Sequence, residues 1–600
     1  MEVLMRKTLF FLLLTVLFPV LVFGMTEDEA VSAIQEYFQC GKPDKAIGIA
    51  HTFKDKNPEL KKLAFIAAVK SGNIKYASRL LPFDQTDGEL NYYIGSYYEK
   101  QGELDKAIDA YISIQKENMF ASASCFAAGR CAEKLGELTK AEIYYDMAMA
   151  KEHTYFAAKP ALARVKEKLG KKKDAEKVLS GKYTTLSKGD STFAPPQFKK
   201  AKVLPADFVG KKSGRIVRAC LGEGVTSVTV TLSSTNEVFD IYYENGSIYI
   251  NNKSKLVENN GKSYRITNKN GKGTVKLSNI KTAGKYVNIV DGSMFRGEIE
   301  FLIKGNALML INHIDLEEYL YGVVPSEMFV SWPDEALKAQ AVAARSFILL
   351  KMQGYVSREY DVYVGKDTAY RGFNREKNQT TAAVDETYGI ALFTPRGTPM
   401  DALFCTNCGG YTSTTATAWG SRNTGNLAAV PDKKIKKNKS SPSAGEIAKF
   451  IKNPPEMYCY MAPYAAYSTF RWCTQLTREE LEEMIDPSHT LGYIKGIQVN
   501  SRDIGGRVTS LTVQGTLGVF VLGTQEIRAK LGGLKSSLFI CEYQLSKSGL
   551  PEVFTFIGGG WGHGIGLCQT GACGMAVSGI GFREILSHYY PEAVLKENCY

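Results

Sequence analysis

Gly102, Gly136 and Gly170 stand 34 residues apart, and Ala107, Ala141 and Ala175 keep the same interval. Around them YYEKQGELDKAIDAY is echoed by CAEKLGELTKAEIYY and then by KEKLGKKKDAEKVL. A fixed period of this length constrains the fold strongly, because each unit is too short to bury a core alone and must stack on its neighbours. The glycine closes one helix, and the small alanine lets the next pack against it. Looser copies, Gly41 with Ala46 and Gly72 with Ala77, carry the array toward the N-terminus. The expectation is an α-solenoid over residues 26–180, with a concave side that binds a peptide or partner protein, or else a spacer without a ligand.

The period is that of tetratricopeptide repeats. Ahead of it, Arg6 and Lys7 precede an apolar run from Leu9 to Phe23 that ends at Gly24. About 15 apolar residues fall short of the roughly 20 that a membrane span needs, so residues 1–24 read as a secretory signal peptide, with a retained anchor as the alternative. The implied address is the periplasm or cell envelope. Behind the repeats, residues 181–209 turn to Lys, Ser, Thr and Pro and read as an interdomain linker. From 210 to 311, runs such as SVTVTL, VFDIYY and GEIEFLI alternate with Gly/Asn turns, the pattern of hairpins. This β-rich part leads without a break into residues 312–600, so 210–600 is expected to be one mixed α+β domain in a multidomain chain. With 600 residues, 44% apolar and 23% charged, two to four domains are expected and the composition argues against extensive disorder.

Part of the net charge of +12 sits at Lys433, Lys434, Lys436, Lys437 and Lys439, read as a solvated loop or a site for an acidic wall polymer. Nucleic acid is not expected as a partner, given the export signal and the lack of a recognisable module. The twelve cysteines are scattered. Cys40, Cys125 and Cys131 fall in helical patterns, as small buried hydrophobes do. Residues 430–475, with Cys459 and Cys473, read as a surface excursion.

The chemistry concentrates in DLEEYLYGVVPSEMFVSWPDEALKAQAVAARSFILL, Asp315 to Leu350. Here Glu327 lies in a Gly/Pro-bounded segment just ahead of a helix that carries cations among alanines. Ser331 with Asp334 has capping-box spacing, Pro333 sits in the first turn, and no breaker follows before Gly354. Leu337, Ala341, Ala344 and Ile348 form a buried stripe, while Lys338 and Arg345, seven apart, project from one side. Those cations need water or an anion such as Glu327. Gln340 points elsewhere by ideal geometry. Glu317, Glu318 and Glu335 are expected to be surface or capping residues.

The run YLYGVVPSEM with SWPDEALKAQAVAARSF resembles the signature of the stage II sporulation protein D (SpoIID) family, shared with the amidase-enhancer LytB proteins. DTAYRGFNRE (Asp367 to Glu376) and GGGWGHGIGLCQTGACGMA (Gly558 to Ala576) fit the same family in the same order. The resemblance spans roughly residues 210 to 595. It implies murein glycan cleavage by a lytic transglycosylase that needs no zinc, or assistance to a cell-wall amidase, with peptidoglycan glycan strands as partner and no cofactor. An amidase bound at the repeats, or an envelope scaffold working through them, are the further alternatives. A lytic transglycosylase needs a single carboxyl where most glycosidases need two, and Glu327 is the candidate acid/base. The resemblance places Lys338, Gln340 and Arg345 in the family's cleft. Phe329 departs from the E-M-P that relatives carry.

In the last motif the glycines would let backbone approach a ligand, Trp561 would stack on a sugar, and His563 would either bind substrate or tie the loop down. Gln569 completes the expected substrate-binding set. Cys405 and Cys408 have C-x-x-C spacing, but neither a second such pair nor an H-x-x-H accompanies them. A disulfide, two free thiols or a metal site each remain open, and Cys405 stands where relatives often have His.

Overall fold

The structure is a computed structural model that describes residues 25–600 apart from 186–204 and a set of shorter stretches, among them 255–261, 417–426 and 434–439. The expected signal peptide, most of the expected linker and most of the lysine cluster therefore lie outside the described residues. Among the described residues no helix is long and apolar enough to cross a membrane.

From Glu27–Gln39 to Lys172–Leu179, helices follow one another as antiparallel pairs. Gly72, Gly102, Gly136 and Gly170 end the first helix of successive pairs at φ of 76°, 80°, 78° and 77°, a left-handed turn that a side chain resists. Ala46, Ala77, Ala107, Ala141 and Ala175 are buried where the second helix packs back. The period recurs in the ion pairs: Glu99 holds Arg130 at 2.7 Å, and 34 residues on Glu133 holds Arg164 at 2.8 Å.

This array is not a free arm. The three-stranded sheet of Arg471–Thr477, Pro551–Gly559 and Phe539–Leu545 alternates its side chains. Cys473, Ile540 and Ile557 join the core of the helical array, whereas Trp472, Phe539, Cys541, Phe554 and Phe556 pack toward the second sheet, Ile494–Arg502, Val508–Gly515 and Val519–Gly523. The helix Ala444–Lys452 lies on Glu27–Gln39, with Gln39 Nε2 donating to the Ala444 carbonyl at 2.7 Å. Lys70 reaches Glu542 at 2.6 Å, and Lys452 bridges Glu542 and Glu89 at 2.9 and 2.7 Å, all inside this contact. Faces of the first helices are thus covered by the chain's own C-terminal part. Residues 430–475 are correspondingly not a surface excursion: Asp432, Cys459, Arg471 and Cys473 are all buried. Cys125 and Cys131 are buried as expected, but Cys40 is exposed at a helix end.

In the remaining module the 17-residue strand Ile216–Leu232 pairs with Ala307–Asp315, Val238–Glu244 and Val275–Thr282 in a ten-stranded sheet. Ala307–Asp315 is buried throughout and runs straight into the helix Leu316–Glu327, whose N-cap Asp315 accepts the Glu317 N–H at 2.9 Å. The Gly/Pro-bounded segment that carries Glu327 is thus a helix of its own, and Glu327 is its last residue. The alanine-rich helix Asp334–Gly354 begins after Pro333, later than the Ser331 cap predicted from spacing. It contacts Leu316–Glu327, Asn378–Glu386, Gln569–Val577 and Phe582–Tyr589, so small side chains are needed on several faces.

Candidate functional site

At the end of its helix Glu327 is partly buried and reaches solvent. Its Oε1 accepts the Ala369 backbone N–H at 2.9 Å, and the Gln569 side-chain amide lies near enough to the same carboxyl to favour its ionised form. Burial pushes its pKa above the ordinary glutamate range, against the Ala369 N–H, the Gln569 side chain and the charge of Arg371, which favour ionisation. Gly322, one turn earlier, admits the Tyr370 ring: an added Cβ would stand 2.6 Å from it, so the 369–371 segment sits close only because no side chain is there. Ala369, Tyr370, Arg371, Asn374 and Arg375 then line a groove of about 550 Å³ with residues 289–293 on its other side. A larger cleft of about 770 Å³ opens beside Gln39 and the strand Ile494–Arg502. Its described lining carries Lys42, Lys495 and Arg502 but no carboxylate, whereas Glu327 meets the smaller groove through Ala369 without itself being among the lining residues.

Gln569 links Glu327 to the alanine-rich helix. It is the first residue of Gln569–Val577, is buried, and its Nε2 donates to Gln340 Oε1 at 3.4 Å. Gln340, which ideal spacing set aside, is therefore the helix residue that meets this chain of contacts. Its own Nε2 has no partner among the described residues.

Two expected cleft residues are elsewhere. Arg345 is fully buried and grips Glu317 through Nε at 2.7 Å and Nη2 at 2.8 Å, with further bonds to the Val384 and Ile390 carbonyls. Every hydrogen-bonding direction is spent inside the core, which removes it from substrate binding and removes Glu317 from the surface. Lys338 is held by Glu335 and Glu386, both at 2.8 Å, neither of them Glu327.

His563 and Trp561 belong to a second neighbourhood. His563 Nδ1 accepts the Ile565 N–H at 3.1 Å, a bond within its own loop, and burial together with Arg507 and Arg528 lowers its pKa to about 4. Lys535 lies 4.6 Å over the Trp561 ring. Glycines of this motif pack against the chain itself: a Cβ on Gly560 would meet the Asn407 carbonyl at 2.7 Å, and one on Gly564 would meet Arg507 at 2.1 Å. Cys405 pairs with Cys568 in a short parallel ladder. Cys408 instead lies beside Asp432, Cys459 and Cys568. Sequence spacing missed that group, because its members come from four separate segments.

Compared with known proteins, residues 304–393 match a family described as SpoIID, Stage II sporulation protein, and residues 414–566 match a domain of unknown function. The chain is similar to an uncharacterized protein of Brachyspira hyodysenteriae, 24% identical over 62% of this chain and 91% of that one. It is similar to stage II sporulation protein D of Bacillus amyloliquefaciens, 30% identical over 48% of this chain and 76% of that one. It is also similar to the amidase enhancer of Bacillus subtilis, 26% identical over 61% of this chain and 55% of that one. A solved structure of MamA aligns with 25% of this chain and 89% of its own at 16% identity and a TM-score of 0.22, too low to carry an argument.

Proposed function

The chain belongs to the stage II sporulation protein D family, and from that premise we propose that it remodels the cell wall by cutting peptidoglycan glycan strands as a lytic transglycosylase. Glu327 is the acid/base. Protonated, it gives its proton to the glycosidic oxygen, and the resulting carboxylate then takes the proton of the muramic acid 6-hydroxyl as that oxygen closes on C1, leaving a 1,6-anhydro end. The observation that carries this reading is a carboxyl whose pKa is raised by burial and which accepts the N–H of Ala369, a residue that lines the groove. Arg371 and Arg375 line that groove and suit the carboxylates of muropeptides. Phe329, two residues beyond Glu327 and 68% exposed, offers a sugar a face to stack on.

The similarity to an amidase enhancer favours a second reading, in which the same groove holds glycan without cutting it and the chain assists an amidase. A protein partner would then meet the solenoid on surfaces that its own C-terminal part leaves open. Incubation with purified sacculi followed by mass spectrometry separates the two. The first reading requires anhydro-ended fragments from the wild type and a loss of about 100-fold or more in Glu327→Gln. Sacculi that stay intact alone but are cut faster by an added amidase would establish the second.

A further inference from the structure

Cys408, Asp432, Cys459 and Cys568 are all buried, and one potential ligand atom from each lies within 4.8 Å of all the others. From this we propose a structural zinc site, made of three thiolates and one carboxylate, that locks the C-terminal half of the module. A span of 4.8 Å surrounds a single ion and leaves no room for a cluster. Zinc takes four such ligands tetrahedrally, and Zn–S arms of about 2.3 Å put neighbouring sulfurs about 3.8 Å apart. The Cys408 and Cys459 sulfurs are 4.0 Å apart, whereas a disulfide needs about 2.05 Å and would strand the third thiol and the carboxylate together in the core.

The surroundings are those of a thiolate centre. Three backbone N–H groups point at sulfur: Cys408 to Cys568 Sγ at 3.1 Å, Gly410 to Cys408 Sγ at 3.3 Å and Gly571 to Cys568 Sγ at 3.3 Å. The Asp432 carboxylate is oriented by the Cys459 N–H at 2.6 Å and the Tyr589 hydroxyl at 2.5 Å, the kind of outer contact that fixes a ligand before metal arrives. Binding Zn²⁺ displaces the three thiol protons and leaves the centre with negative charge in excess. Arg471 stands ready to offset it. Fully buried, it donates to the carbonyls of Gly409, Phe450, Ile451 and Phe470 and has no carboxylate partner among the described residues. Its guanidinium also lies 3.9 Å over the Phe470 ring, so the cation is held in place without a counter-charge of its own.

The ligands join a glycine turn, the loop at 432, the short helix Tyr458–Met461 and the N-cap of Gln569–Val577. Cys568 directly precedes Gln569, so the ion would also pin the helix start from which Gln569 reaches Glu327. The test uses the full chain purified from zinc-supplemented culture without chelator, its metal measured by elemental mass spectrometry. About one zinc per chain is expected in the wild type and in Cys405→Ser and Cys573→Ser. Less than about a tenth of that is expected in Cys408→Ser, Cys459→Ser and Cys568→Ser. Should those three fail to fold, the wild type still decides. Exchange into Co²⁺ should give thiolate-to-cobalt charge-transfer absorption, and a strong chelator should release zinc together with three newly reactive thiols. A metal-free wild type would overturn the site, whether its cysteines were free or Cys408 and Cys459 were linked. So would a Cys405→Ser variant that loses as much zinc as Cys568→Ser.

Discussion

Glu317 and Glu327 sit at opposite ends of one helix, and their neighbours give them different work. Arg345 clamps Glu317 in a two-pronged ion pair, and the Tyr600 hydroxyl adds to it. Replacing Arg345 by Met leaves a carboxylate buried without a cation, which should cost about 3–5 kcal/mol in urea denaturation, with part of the loss recovered on adding Glu317→Gln. Glu327 has no such clamp, and its pKa is higher folded than unfolded because of burial. Its contribution to stability is therefore complete below the unfolded value and is lost as pH rises through the folded one. Gln at this position mimics the protonated form. Thermal melts of Glu327→Gln should show a higher midpoint than the wild type at neutral pH, with the gap closing as pH falls toward about 4.3. Loss of cleavage with gain of stability would mark a residue kept for chemistry. The carboxyl itself was legible in the sequence from its motif, but the role of Arg345 was not, since its partner lies 28 residues earlier on another helix.

Between elements, the decisive contact is the start of Gln569–Val577 against the alanine-rich helix. Helical spacing correctly marked Leu337, Ala341, Ala344 and Ile348 as buried, yet it ranked Lys338 and Arg345 above Gln340. That ranking assumes one buried side, and this helix is packed by four others. The Gln569 amide lowers the Glu327 pKa, so Gln569→Ala should move the alkaline limb of the pH–rate profile to higher pH. Cleavage at the optimum should also fall by about 10- to 100-fold through lost orientation, with circular dichroism unchanged. A purely structural residue would lower the rate without moving the limb.

Across the whole molecule, the helical array and the C-terminal sheet share one core and a buried set of charges. Lys452 and Lys62 hold Glu89 at about 2 even though burial alone would push it up. A depressed carboxylate supports the fold above its unfolded pKa and loses that support as pH falls through its folded one. Docking should therefore loosen in acid, between about 4.3 and about 2. Lys452→Met removes the cation that bridges Glu89 and Glu542 and leaves each with one lysine, Lys62 and Lys70. Calorimetry should show a destabilisation of about 3–5 kcal/mol and a single transition splitting into two. Deleting residues 26–180 would expose Ile540 and Ile557, so point variants at this contact are the cleaner probe.

By itself the sequence determined what is local or periodic: the repeat, the hairpins and the ordered motifs around Glu327. Only the tertiary structure decided which faces of the repeats stay open, where Arg345 spends its charge, and that cysteines 51 and 160 residues from Cys408 meet beside it. Local patterns are written in spacing because the backbone repeats at short range. Contacts closed by long loops leave no period in the chain, and they exist only once the core has brought the segments together.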